Sequence, residues 1–178
     1  PAPLVHGGFG PGGGTGRAAW TLRGEPVPFV HLSERVTGEA LAEAGRKPPG
    51  HSDAPAFLAE WRGPVSYERW GIPYDRIAVP ILALGGGRDA QWPSGYGVEM
   101  IQERMAALGK AELVEAHVYP DAGHGISRPG IASPLSLYAI HRVSRLWATK
   151  GGVPEANSSA GYDAWTRTLR FLRTLVIE

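Results

Sequence analysis

Two residues in this 178-residue chain have the type and setting for acid–base chemistry. Asp89 ends the segment Gly85-Gly86-Gly87-Arg88-Asp89, directly after a continuous apolar run. His124 stands in Asp121-Ala122-Gly123-His124-Gly125, directly after an alternating run. A carboxylate that holds an imidazole makes two parts of a nucleophile–His–acid triad. The imidazole takes a proton from a hydroxyl, while the acid sets its tautomer and stabilises the imidazolium. If both residues follow adjacent parallel strands, their loops meet, because chemistry in open α/β sheets gathers beyond the carboxyl ends of strands. In the plainer alternative, Asp89 caps the next helix and His124 is an ordinary loop histidine; spacing alone leaves both open. Glycines on either side of His124 permit a tight loop that exposes the ring.

The elements that must position this pair are legible from residue 76 onward. The run Ile77 to Leu84, ending in three glycines, predicts a strand buried on both faces of a parallel sheet. Ser94 to Leu108 predicts a helix with Val98, Ile101, Met105 and Leu108 on one stripe, stopped by Gly109. Val114 to Tyr119 alternates: Val114, Ala116 and Val118 face one way, and Glu115, His117 and Tyr119 the other. That predicts a strand polar on one side, as at a sheet edge. Residues 155–177 predict an amphipathic helix with Trp165, Leu169 and Leu172 stacked. This order gives βα units and a parallel sheet. A further helix, Leu135 to Thr149, would carry His141, Arg142 and Arg145 as a solvated basic face, with contact to a CoA phosphate as the alternative. Before residue 76 the pattern is weaker. Extended pieces at 18–22 and 26–30 flank a turn at Arg23-Gly24-Glu25, Ser33 starts a helix reaching about Gly45, and 55–61 form a short helix. Residues 7–16 are a glycine-rich connection without a phosphate-loop pattern.

Composition removes several function classes. With 43% hydrophobic and 20% charged residues the chain is not intrinsically disordered, and its length suits one domain with a real core. Its 25 glycines and 16 prolines are about twice average usage, so loops are abundant. A net charge of +1 gives no basis for nucleic-acid or membrane-surface binding, and no apolar run approaches a membrane span. The absence of cysteine removes disulfides, thiolate-bound zinc, iron–sulfur clusters and a cysteine nucleophile within this chain. No cofactor is expected. A metal cluster of His117, Asp121 and His124 is disfavoured, since His117 faces sideways from its strand and Pro120 bends the path. Asn157-Ser158-Ser159 fits a glycosylation sequon and is read as a chance match. For Trp20, Trp61, Trp70 and Tyr74, core packing is preferred over lining an acyl pocket.

Five segments together resemble one family. They are Gly71-Ile72-Pro73-Tyr74-Asp75-Arg76-Ile77, Pro80 through Asp89-Ala90-Gln91-Trp92-Pro93-Ser94, Tyr119-Pro120-Asp121-Ala122-Gly123-His124, Gly151-Gly152-Val153-Pro154-Glu155-Ala156 and Asp163-Ala164-Trp165. They are similar to the acyl-CoA thioester hydrolase / bile acid-CoA:amino acid N-acyltransferase C-terminal family. The likeness covers about residues 66–175 well, and 1–65 loosely through Trp20, Gly24 and Pro28. It implies an α/β-hydrolase fold, Asp89 as triad acid and His124 as triad base. It also implies an acyl-CoA or other acyl thioester as substrate, with water completing a thioesterase and an amine an N-acyltransferase. Val153 stands where the family usually has Thr; losing that helix cap costs about 1 kcal/mol.

The family's nucleophile sits on a Gly-x-Ser/Cys-x-Gly elbow, which this chain lacks. Its near match, Gly50-His51-Ser52-Asp53-Ala54, has no strand before it and prolines on both sides. The chain opens on Pro1-Ala2-Pro3 without an initiator Met. The expectation is therefore one partial domain over 1–178, the C-terminal part of an α/β-hydrolase fold (parallel sheet with flanking helices). In it, 1–75 are loop-rich and lid-like, and 76–178 form a βαβα segment carrying the acid and the His. The N-terminal half with the elbow is expected outside this chain, so the isolated chain should be inactive. A truncated sheet exposes a strand edge, so the expected partner is the missing half or a second copy. The alternatives are a degenerate, non-catalytic piece that binds or assembles, and a carboxylester or peptide hydrolase of the same fold.

Overall fold

The structure is a computed structural model that describes residues 21–26, 46, 50, 52–62, 72–126, 138–140 and 145–176. Along the chain these form β1 (Thr21–Leu22), β2 (Glu25–Pro26), α1 (Ala54–Trp61), β3 (Ile81–Gly86), α2 (Ser94–Ala107), β4 (Val114–Tyr119), β5 (Tyr138–Ile140), β6 (Trp147–Thr149) and α3 (Pro154–Val176). Single 3-10 turns lie at Tyr74–Arg76 and Ala111–Leu113. The glycine-rich segment 7–16, the helix expected from Ser33, and Trp20 and Trp70 lie outside the described residues. Among the described residues no helix is long and apolar enough to cross a membrane.

β3 and β4 pair in parallel, from Ile81 opposite Val114 to Gly86 opposite Tyr119. Parallel strands need a crossover, and α2 supplies it. Its stripe of Val98, Ile101 and Met105 is buried with Ala83 and Tyr74, and Leu108, Val114, Ala116 and Val118 pack against this cluster. Gly109, at φ +70°, then turns the chain out of the helix. The other face carries α3, where Ala122, Ile126 and Ala160 pack with Leu84 and Tyr119. The described core is thus a small parallel sheet with a helix on each face, an α/β arrangement.

Five expectations change. β3 starts at Ile81 rather than Ile77, after Pro80, which has no N–H for the ladder. Ile81, Leu82 and Leu84 are only half-buried, because among the described residues β3 pairs with β4 alone and its other edge faces a cleft. The polar side of β4 does not face solvent: α3 covers it with Asp163, Arg167 and Arg170. The helix expected over 135–149 is replaced by β5 and β6, antiparallel with Tyr138 opposite Thr149. Tyr, Ile, Trp and Thr favour strands, and Arg145, at φ +59°, takes a conformation no helix interior holds. His141 and Arg142 lie outside the described residues. Finally, α3 forms from Pro154 as expected, but Trp165, Leu169 and Leu172 stand 45%, 36% and 49% exposed instead of packed.

At the N-terminal side the expected turn is present. Thr21 pairs with Pro26 across Arg23 and Gly24, both at positive φ, as the tightest hairpins require.

Candidate active site

Asp89 follows the carboxyl end of β3 by three residues, and its side chain is 2% exposed. A carboxylate has about four acceptor positions, and here each oxygen receives two donors. Oδ1 accepts the backbone N–H of Gln91 and of Trp92, both at 2.9 Å. This is the local fold-back by which Asp starts a turn, and it leads the chain into α2. Oδ2 accepts the Ser94 hydroxyl at 2.7 Å and lies 3.1 Å from Nδ1 of His124. The two sequence readings of Asp89 therefore coexist: one oxygen organises the helix start, the other holds the imidazole.

The β3–β4 register explains the meeting. Gly86 and Tyr119 are paired, so both loops leave the sheet at the same end. They are stitched together by Gly87 N–H to the Tyr119 carbonyl at 2.8 Å and by Arg88 N–H to the Ala122 carbonyl at 2.9 Å. A third segment locks them. The carbonyl of Lys150, beyond β6, accepts the N–H of His124 at 2.9 Å and of Ala90 at 3.3 Å. Gly151, bridged to Asp89, sits at φ +73°, and a Cβ there would overlap the Arg88 carbonyl. An ionised carboxylate only accepts, so its bond to His124 puts the proton on Nδ1 and leaves the Nε2 lone pair free for a proton.

Sequence reasoning missed several residues that build this site. Asn157, in the first turn of α3, is buried; its Oδ1 accepts Gly123 N–H at 2.6 Å and its Nδ2 donates to the Gly151 carbonyl at 3.3 Å. It fixes the residue before His124, and the asparagine of the sequon is buried although Ser158 and Ser159 are exposed. Ser94 accepts Gly86 N–H at 3.0 Å while donating to Asp89. α1 clamps the acid loop from outside. Phe57 stacks on Trp92 with centroids 4.8 Å apart, Arg62 lies over the Tyr96 ring, and the Ala90 carbonyl accepts both Asp53 N–H and Ala54 N–H. The Ser52 hydroxyl donates to that same carbonyl at 2.6 Å, which gives this residue a local structural task. An N-terminal helical signal at 55–61 was readable; its docking on the acid loop was not.

The three residues of the disfavoured metal cluster face different partners. His124 turns to Asp89, Asp121 pairs with Arg88 at 2.9 Å, and Nε2 of His117 lies 3.2 Å from Glu115 Oε1 and 2.7 Å from Arg167 Nη1. His117 belongs to a charged seam between β4 and α3. Tyr119 donates to Asp163 at 2.7 Å, Arg167 donates to Asp163 at 2.6 Å, and Arg170 donates to Glu115 at 2.5 Å. Arg167 and then Tyr119 hold the Asp163 carboxyl below its ordinary value. Burial opposes the same effect at Glu115, but bonds from His117 and Arg170 prevail and hold it low. Burial and the Asp163 charge push the Tyr119 phenol well up.

A cleft of about 470 Å³ runs along the edge of β3 that has no partner strand among the described residues. Leu82, Leu84, Trp165 and Phe171 give it apolar walls, and Asp89 and His124 lie at its end. An acid-backed imidazole beside an apolar cleft can activate a hydroxyl against an acyl group lodged there.

Human acyl-coenzyme A thioesterase 6 is 28% identical over 147 residues, 82% of this chain and 34% of that protein. The peroxisomal succinyl-coenzyme A thioesterase of Mus musculus is 35% identical over 101 residues, 56% of this chain and 23% of that protein. Mitochondrial acyl-coenzyme A thioesterase 2 of Mus musculus is 33% identical over 110 residues, 62% of this chain and 24% of that protein. The chain spans about a third or less of the length of these curated relatives. The family described as BAAT / Acyl-CoA thioester hydrolase C terminal matches residues 54–177, from the helix that clamps the acid loop to the end of the one that carries Asn157. The chain belongs to that family.

Proposed function

We propose that this chain supplies the acid and base of a serine-type acyl-CoA thioester hydrolase or acyltransferase. A hydroxyl from a part outside this chain attacks the thioester carbonyl and displaces the thiol. His124 takes the hydroxyl proton and passes it to the leaving sulfur; Asp89 holds His124 and stabilises the imidazolium. Water then releases the acyl group as an acid, or an amine takes it as an amide. The observation that carries this reading is the Asp89 Oδ2 to His124 Nδ1 contact at 3.1 Å, in a chain whose relatives are named as acyl-CoA thioesterases.

The partner in this reading is the nucleophile-bearing N-terminal half of an α/β-hydrolase domain, with a second copy of the chain as alternative. Residues 1–75 act as a loop-rich, lid-like region. Two observations support a partner: among the described residues β3 has one unpaired edge, and the apolar stripe of α3 beside it is exposed. Backbone groups on such an edge favour another strand. The test is acyl-CoA hydrolysis by the protein that joins this chain to the nucleophile-bearing part. Asp89→Asn and His124→Ala should each lower kcat by about 10⁴-fold, as loss of the correct tautomer or of the base does. Retained turnover in either variant overturns the assignment.

A further inference from the structure

We propose that Ser94 is a positioning residue of this site, setting the geometry of the acid toward His124. The inference rests on the reading of Asp89 and His124 as a catalytic pair. Ser94 is 2% exposed and is the first residue of α2. Its hydroxyl makes a directed chain: Gly86 N–H donates to Ser94 Oγ at 3.0 Å, and Ser94 donates to Asp89 Oδ2 at 2.7 Å. That oxygen, and not the other, is the one facing His124.

The arrangement has consequences that a mere helix start would not. Oδ1 is fixed by two backbone N–H groups of its own turn, which orient the carboxylate about one oxygen only. Ser94 provides the second anchor, tied through Gly86 to the end of β3, so the carboxylate plane is referenced to the sheet. The hydroxyl also occupies one of the two acceptor positions of Oδ2, leaving a single direction from which an imidazole N–H can bond. Without it, Oδ2 can accept His124 from a wider range of angles, and Gly86 N–H loses its acceptor. A hydroxyl here therefore narrows the ring orientations of His124, which governs how often its free nitrogen meets a hydroxyl in line.

The test compares Ser94→Ala and Ser94→Cys in the protein carrying both this chain and the nucleophile-bearing part, with Asp89→Asn as reference. Cys fills the site but donates only weakly. Both Ser94 variants should lose about tenfold in kcat, the rate equivalent of one hydrogen bond to a charged group, with KM held within about twofold. The downfield proton resonance of the His124 Nδ1–H should shift or broaden in both. Thermal melts identify any variant that does not fold; the Cys variant carries the test if the Ala variant fails. A kcat within twofold of the parent, or full recovery by Cys, overturns the role of Ser94. Unimpaired turnover in Asp89→Asn overturns the catalytic reading instead, and the resonance alone then decides whether Ser94 orders the pair.

Discussion

Asp89 divides its work between its two oxygens, and the residues that complete it are as informative as the pair itself. Asn157 is the sharpest case, because it touches no reacting atom yet ties Gly123 to Gly151. Asn157→Leu keeps the volume, orphans a buried N–H, and should destabilise the fold by about 1–3 kcal/mol. Urea unfolding measures that loss, and in the proposed enzyme kcat should fall with it, since Gly123 precedes His124. That Asp89 and His124 stand on neighbouring loops was legible from glycine-rich turns directly after two strand patterns, although spacing alone left a helix cap and a loop histidine open. Asn157 and Ser94 were not, because their partners are main-chain groups, and a side chain that bonds backbone leaves no residue-type pattern at the other end. In the sequence Asn157 showed only a sequon, a local coincidence unrelated to its task.

At the scale of elements, α2 and α3 hold the sheet by different means. α2 packs Val98, Ile101 and Met105 against β3 and β4; α3 meets β4 largely through Asp163, Arg167 and Arg170. Periodicity identified both helices and both strands, because burying one stripe or one face is what spaces apolar residues. It did not identify what covers the polar face of β4, since alternation marks the residues that point away from one core without naming their neighbours. It also misread 135–149, where strand formers and a left-handed Arg145 overrule a helix-compatible spacing. The seam has a pH signature. Asp163 and Glu115 have folded values below their unfolded ones, so their contribution is complete at neutral pH and is lost as pH falls through the lowered values. Melting temperatures followed from pH 7 to pH 3 should therefore drop steeply in the parent and more gently in Asp163→Asn, which has already lost that contribution. Parallel curves would show that the seam does not fasten α3.

At the scale of the whole molecule, the family match and the parallel sheet agree, and among the described residues the uncovered features collect along one side: the edge of β3 without a partner strand, the cleft and the exposed stripe of α3. The opposite, α2 side is a finished core. Met105 is wholly inaccessible there, and Met105→Ala should cost about 2–5 kcal/mol. Against a typical total of about 5–15 kcal/mol, that is a large share, read as a lower urea midpoint at constant slope. The sequence did not foretell that the last helix would display Trp165 and Leu172, because an amphipathic stripe does not name what packs against it. One feature bears on motion. A single oxygen, that of Lys150, restrains both the acid loop and the base loop. A displacement of Lys150 therefore carries the two as a coupled pair, like doors hung on one post, and their separation persists through breathing that would dismantle a site anchored at two unrelated points.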